Sequence, residues 1–405
     1  MNGQATSVRI ALFTGGIDKH YACGLSESLA SSGIVVDLIC NAEMSTGETQ
    51  NLPRLNLYTI YSTPHLYQSK LRKFLGVVGA YARILHYAAT SSAPIFHILW
   101  NYKFRFFDRT LLLIYCKLLG KEIVFTAHNI NKGERDGTDS LLNRVSLRIQ
   151  YRLVDHILVH TPKMKEQLVQ TFGVRDEKIT IVPFGTYDMV PQSALTGAEA
   201  RKRLGLSCAN RTILFFGHIA PYKGIDLLVD AFARLAAQHQ DYRLVIAGGP
   251  MKESEQHWQQ VQRVIEESAM REQVLEHGRF IDDKEIELYF KAADVLVLPY
   301  THIFQSGVLF MSYTFGLPVI ATDIGSFSRD IVEGFTGYLC RPNDPIDLAK
   351  IIDKYFSSEM FKNIDEQRLK IKSFIQASHS WDVAAARTSE VYDRLSKHEA
   401  NRTNN

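Results

Sequence analysis

The sequence predicts an α/β protein of two doubly wound domains with a crevice between them. Three observations predict it. The 405 residues exceed what one core organises, so two domains of about 150–200 residues each are expected. Short β-branched apolar runs alternate with helical segments, which marks parallel sheets covered on both faces. That rhythm then restarts near residue 210.

The elements follow in order. In the first half Val8–Phe13, Val35–Ile39, Ile95–Leu99, Glu122–Thr126 and His156–His160 read as strands. Helices fall between them, at Cys23–Ser32 and Arg109–Leu119. The segment Pro183–Arg211 reads as a linker and lead-in helix. In the second half Thr212–Phe216, Arg243–Ala247, Val295–Leu298, Val319–Thr322 and Gly337–Cys340 are strands. The helices there are Ile225–Gln238, Lys252–Glu267, Asp283–Ala292 and Val308–Thr314. The boundaries divide the chain into 1–190, 191–375 and a closing segment 376–405, whose polar tail Lys397–Asn405 is expected to fray. In such sheets ligands sit at the carboxyl ends of strands, near helix N-termini.

Composition excludes several classes. Hydrophobic content of 46% with 22% charged residues is globular rather than disordered. A net charge of +3 says nothing about partners. The five cysteines (Cys23, Cys40, Cys116, Cys208, Cys340) are scattered and form no C-x-x-C pair, so neither a disulfide framework nor a zinc knuckle is indicated. No signal-peptide pattern precedes Val8, and the longest uncharged apolar stretch, Gly307–Thr322, is too short to span a bilayer. A cytoplasmic protein is expected. Charge is nonetheless uneven. Residues 66–121 hold nine basic side chains and one acid, Asp108, with aromatics interleaved. Within that tract Leu71, Phe74, Leu75, Val78, Tyr81 and Leu85 fall at helical spacing. This is either an amphipathic helix with a solvated basic face or an interfacial patch for anionic lipid, placing the protein on the inner membrane surface. No recognition motif accompanies it, so nucleic acid is not the expected partner.

Four segments carry candidate chemistry. Gly15 and Gly16 follow the first strand and let backbone N–H groups approach a ligand, although a plain tight turn would look the same. His128 lies just past a strand end, where it can hydrogen-bond a hydroxyl, stabilise a developing charge or merely cap the next segment. Gly217, His218 and Lys223 form a glycine-flanked loop in which lysine supplies a point charge for phosphate. The loop Tyr300-Thr301-His302-Ile303-Phe304-Gln305-Ser306-Gly307-Val308 leaves a strand and opens a helix, whose first-turn amides at Ser306, Gly307 and Val308 can hold a diphosphate. Dinucleotide, Walker A, nucleophile-elbow and H-E-x-x-H motifs are absent, and no histidines cluster at metal-ligand spacing.

Taken together, the pieces FFGHIAPYKGIDLLVDAF, YRLVIAGGP, AADVLVLPY, FGLPVIATDIGS and IVEGFTGYLCRPNDPIDLA resemble the retaining glycosyltransferases of the GT-B architecture, family 4. Weaker counterparts stand earlier as GGIDKH, FTAHN and KITIVPFGTYD, and SWDVAAARTSEVY resembles the closing helix that crosses back onto the first domain. The resemblance implies two Rossmann-like domains facing each other across a cleft. It implies a nucleoside-diphosphate sugar held mainly by the second domain, a glycan or lipid-linked acceptor on the first, and no cofactor or metal. By it, Lys223 matches the lysine on the donor diphosphate, and His128 the histidine near the reacting sugar. Gly16 matches the glycine-loop contact, Gly249 and Pro250 the turn near the nucleotide, and Gln305–Val308 the loop over the phosphates. The sequence departs from the family in two ways. His218 stands where the family usually has arginine, and Ile303 and Met311 stand where it places two glutamates eight residues apart. Neither Ile nor Met can accept a hydrogen bond from ribose. Either the subgroup uses other donor contacts, such as His302, Gln305 and Ser306, or the chain is a non-catalytic copy. A sugar-nucleotide epimerase is a third reading.

Overall fold

The computed structural model describes residues 8–44, 51–61, 69–135, 138–188 and 190–403. The chain separates into two units, one of residues 1–185 and 379–405, the other of residues 186–378.

The first unit is built on a seven-stranded parallel sheet. Its strands are β1 (Arg9–Phe13), β2 (Val35–Cys40), β3 (Leu55–Thr59), β4 (Ile95–Ile98), β5 (Glu122–Thr126), β6 (His156–Val159) and β7 (Ile179–Ile181), in the order β3-β2-β1-β4-β5-β6-β7. Every residue of β4, β5 and β6 is buried. The order reverses between β1 and β4, and that is where open α/β sheets bind ligands. β3 and β7 are the two edges and were not evident in the sequence. Their residues are largely half-buried or exposed, so they lack the unbroken apolar run that marks a central strand.

The stretch expected as one helix over Arg109–Leu119 is instead two, Arg105–Arg109 and Leu111–Leu118, broken at Thr110 (φ −126°, ψ −84°). The Thr110 hydroxyl donates to the Phe106 carbonyl at 2.6 Å, a local bond that competes with helix continuation. The final helix, Trp381–Thr403, stays regular through most of the tail expected to fray, and Asn404 and Asn405 lie outside the described residues. Its anchor is Trp381. A Cβ added at Gly24 or at Gly185 would lie 2.3 Å and 2.5 Å from the indole, so two glycines make its slot. Further contacts are Ser28 Oγ donating to Asp382 at 2.5 Å and Tyr392 paired with His97 Nδ1 at 2.6 Å.

The second unit carries a six-stranded parallel sheet. Its strands are β8 (Arg211–Phe216), β9 (Tyr242–Ala247), β10 (Val274–His277), β11 (Val295–Leu298), β12 (Val319–Thr322) and β13 (Gly337–Cys340), in the order β10-β9-β8-β11-β12-β13. The order reverses between β8 and β11. One apolar core runs from Ile213 and Phe232 through Trp258 to Tyr355. The lead-in helix Gly197–Arg203 starts with a capping box between Thr196 and Glu199. Edge strand β10 was again not evident in the sequence, and only its first residue is buried.

Candidate functional site

In the second unit the loops after β8, β9 and β11 meet at backbone level. Gly217 (φ +100°) donates to the Ala247 carbonyl at 2.9 Å. Gly248 (φ +144°) lies so close that a Cβ there would sit 2.0 Å from the Gly217 carbonyl oxygen. Gly249 accepts from Ile219 at 2.9 Å, and Pro250 bridges to the same residue. Gly224 (φ +63°) lets the lysine loop press on the third loop, since a Cβ there would meet the Pro299 carbonyl at 2.1 Å. Thr301 then donates its N–H to the Tyr222 carbonyl at 2.8 Å. These glycines are needed where they stand. A side chain would force the loops apart or strain a left-handed backbone.

Lys223 is buried in the short turn Pro221–Lys223, with 4% of its surface exposed. Its ammonium lies 5.4 Å from the centre of the Tyr300 ring, a cation–π geometry. A Cβ on Gly217 would touch both Lys223 Nζ at 3.0 Å and Val308 Cγ2 at 3.5 Å. The lysine head, the glycine turn and the first turn of the helix Gly307–Thr314 therefore converge on one spot. Ser306 is the buried residue preceding that helix, and its side chain makes no capping bond. Close by, the buried Gln305 Oε1 has no hydrogen-bond partner among the described residues, and the buried Tyr300 hydroxyl lies beside the Ser306 side chain. A buried cation, helix amides and an unsatisfied polar atom at a strand-order reversal form a setting that can hold an anion.

His218 and His302 are exposed on the same loops. His218 Nε2 pairs with the Tyr222 hydroxyl at 3.0 Å, and the His302 ring stands edge-on to Phe304 at 5.8 Å. Tyr187 was not singled out in the sequence. A Cβ on Gly307 would lie 2.2 Å from its hydroxyl, so the phenol rests on the helix N-terminus. Nothing in the spacing of residues could have found that contact. Met311 is buried in the same helix, and Ile303 lies in the loop with its carbonyl against Gly325.

In the first unit the glycine loop and the histidine are organised differently. Gly15 (φ +61°), Gly16 (φ +71°) and Asp18 (φ 43°) are all left-handed. A Cβ on Gly15 would meet the Trp100 carbonyl at 2.7 Å. Asp18 caps the helix Lys19–Ser31 by accepting from the Tyr21 N–H at 3.1 Å, and Gly16 donates its N–H to the Thr14 hydroxyl at 3.2 Å. His128, past the end of β5, stacks flat on Trp100 at 4.1 Å and takes the edge of Tyr21 at 4.6 Å. Its Nδ1 pairs with His160 Nε2 at 3.0 Å, and His160 Nδ1 with the Val182 carbonyl at 3.0 Å. Burial is the main reason all three histidines here are pushed down, His160 to about 4, His97 to about 3 and His128 well below its ordinary range. They are neutral at pH 7. Trp100 and His160 were missed as site residues, because each reads as a strand end until the sheet brings them beside His128.

An apolar cavity opens beside this site, lined in part by Phe13, Tyr61, Ile84, Ile98, Tyr102 and Asp108. Both Asp108 carboxylate oxygens are buried, and burial raises the group to about 7, with Tyr81 and the Tyr102 backbone pulling weakly the other way.

Residues 198–374 match the family described as "Glycosyl transferases group 1", and residues 15–186 match "Glycosyltransferase Family 4". The chain therefore belongs to the group 1 glycosyltransferases, a transferase family of GT-B architecture. Among curated proteins it is 28% identical over 205 residues to the D-inositol 3-phosphate glycosyltransferase of Acidothermus cellulolyticus, covering 49% of this chain and 45% of that one. The chain thus spans about half the length of the curated relatives it matches. Among solved structures, sucrose-phosphate synthase from Thermosynechococcus elongatus aligns with a TM-score of 0.75 at 19% identity, over 97% of this chain and 100% of that one. Anabaena HepE, solved in complex with UDP and glucose, aligns at 0.72 and 17% identity over 96% and 99%. These two likenesses establish the fold: two parallel-sheet Rossmann-like domains.

Proposed function

We propose that the protein is a retaining glycosyltransferase that moves a hexosyl group from a nucleoside-diphosphate sugar to a glycan or lipid-linked saccharide. The observation that carries this reading is the buried Lys223 ammonium, held against Tyr300 and Gly217 beside the first turn of the helix Gly307–Thr314. That arrangement puts fixed positive charge where a diphosphate leaving group develops negative charge. The reading needs no metal or cofactor, because the lysine and the amides supply the charge. HepE is named with UDP and glucose, and a further structure of it with UDP-glucose, so a UDP-sugar is the first donor to try.

Ile303 and Met311 leave the ribose hydroxyls without a carboxylate. Gln305 Oε1, buried and without a partner among the described residues, and the buried Tyr300 hydroxyl are the substitutes this chain offers. In a front-face reaction the acceptor hydroxyl attacks beside the departing phosphate, whose oxygen takes the proton. The protein then contributes positioning and charge. A panel of UDP-, GDP- and dTDP-sugars in thermal-shift assays tests the donor site. One base should raise the melting temperature of the wild type and not of Lys223→Ala. No rise with any donor would favour the non-catalytic copy.

The acceptor side of the reading is a cytoplasmic enzyme on an anionic membrane surface. Among the described residues no helix is long and apolar enough to cross a membrane. The helix Lys70–Thr90 buries Ala80, Tyr81, Ile84, Tyr87 and Ala88 yet leaves Leu71, Phe74, Leu75 and Val78 exposed, with exposed Lys70, Arg72 and Lys73 among them. Leu66–Gln68, the start of the basic tract, lie outside the described residues. Apolar side chains interleaved with cations suit an interface with anionic lipid. Phe74→Glu should lower co-sedimentation with phosphatidylglycerol vesicles and leave donor binding unchanged. Equal sedimentation of both proteins would remove the membrane from the proposal.

A further inference from the structure

The histidine pair of the first unit fixes which hydrogen bond the site can make. The Val182 carbonyl can only accept, so the proton of neutral His160 sits on Nδ1. His160 Nε2 is then a bare acceptor, and the partner 3.0 Å away, His128 Nδ1, must donate to it. That leaves neutral His128 with no proton on Nε2. This nitrogen is buried and has no partner among the described residues. Turning the ring over would put carbon Cδ2 where Nδ1 meets His160 and lose that bond, and Trp100, stacked on the ring at 4.1 Å with planes 4° apart, and Tyr21, edge-on to it, hold it in place.

We infer that His160 is a positioning residue that sets the tautomer of His128, so that the site presents a bare ring nitrogen and selects a substrate group with an O–H to donate. A phosphate or carbonyl oxygen placed there would face lone pair against lone pair. Of the roles open to His128, stabilising an oxyanion is thereby removed, and accepting from a sugar hydroxyl is kept. The inference rests on the proposed transferase reading for the identity of the substrate, but not for the tautomer.

The test starts on resting enzyme. Long-range proton–nitrogen NMR of protein carrying 15N-histidine should show His128 protonated at Nδ1 and bare at Nε2. A protonated Nε2 would overturn the inference whether or not the protein is a transferase. His160→Gln keeps an amide oxygen for His128 Nδ1 and an amide N–H for the Val182 carbonyl, and should preserve this spectrum and keep kcat within about two-fold. His160→Leu removes the acceptor and should shift His128 toward the Nε2-protonated form. With the donor identified above, deoxy analogues lacking one sugar hydroxyl at a time then read the contact. One of them should lose about ten-fold in kcat/KM with wild type and with His160→Gln, as for one hydrogen bond to a buried group. The same analogue should lose little with His160→Leu. Equal losses in all three proteins would overturn the role of His160, and a Gln variant as impaired as the Leu variant would do the same.

Discussion

The two units carry the same strand order around a central reversal, yet the chemistry at their strand ends is opposite. The second unit gathers fixed charge: a buried ammonium at Lys223 and the amides of a helix start, with glycines where loops must touch. The first gathers three uncharged histidines and an aromatic clamp around them. One edge is suited to hold an anion, the other to orient hydroxyls. The fold supplies two equivalent ledges, and a few side chains on each decide what rests there.

The largest test of this division is Lys223→Ala. Losing a preorganised cation that faces developing charge typically costs about 10²–10³ in kcat. Donor affinity should weaken together with turnover, since the diphosphate is charged in both states. A change in KM alone would mean that Lys223 binds substrate and transition state equally, and the charged ledge would lose its catalytic part.

Acid should separate the units next. Buried His97 and His160 titrate near about 3 and about 4 in the folded protein. In the unfolded chain each would take a proton near about 6.5. Their depressed values favour the fold above that pH, and the contribution is lost as pH falls from the unfolded value toward the folded ones. By pH 5 each has lost about 2 kcal/mol, about 4 kcal/mol together. In the second unit Asp294 and Asp330 are raised by burial, and they favour the folded form on acidification. Hydrogen exchange at pH 5 should therefore show β4, β5 and β6 opening before β8, β9 and β11. The reverse order would contradict neutral burial of the histidines.

Asp108 sharpens the picture of the first unit in the opposite direction. Its folded value is raised to about 7, so the fold prefers it protonated. Stability is present in acid and lost as pH rises from the unfolded value toward 7. Asp108→Asn keeps the shape without the charge. It should stabilise the protein by about 2–4 kcal/mol at pH 8. The gain should vanish near pH 4. A variant equally stable at both would mean that the carboxylate is not held in an apolar cavity.

Much of this was legible in the sequence, and what was missed has a common cause. The ten strands read from apolar runs are all present, since burial on both faces leaves an unmistakable pattern. The three that were missed, β3, β7 and β10, are edges, where half the surface is wet and polar residues interrupt the run. The same holds at the sites. Lys223, Gly217 and Gly307 stand out because a lysine between two glycines, and a glycine opening a helix just after a strand, are local patterns readable within a few residues. His160, Trp100 and Tyr187 do not, because their meaning is a contact between segments far apart in the chain: His160 lies 32 residues from His128.

The smallest expected effect concerns His218, which stands where the family usually has arginine. The side chain is exposed, and its Nε2 pairs with the Tyr222 hydroxyl at 3.0 Å. Arginine there would bring a permanent charge and a planar fork for two phosphate oxygens. Because the position is solvent-screened, the gain is that of a surface ion pair, about 0.2–1 kcal/mol, or up to about five-fold in donor affinity. His218→Arg should tighten binding of a nucleoside diphosphate by that factor at low salt, and the gain should fade as ionic strength rises. A much larger, salt-insensitive gain would place His218 inside the charged ledge. No gain at any salt would place the diphosphate on Lys223 and the helix amides alone, and His218 would be a loop residue held by Tyr222.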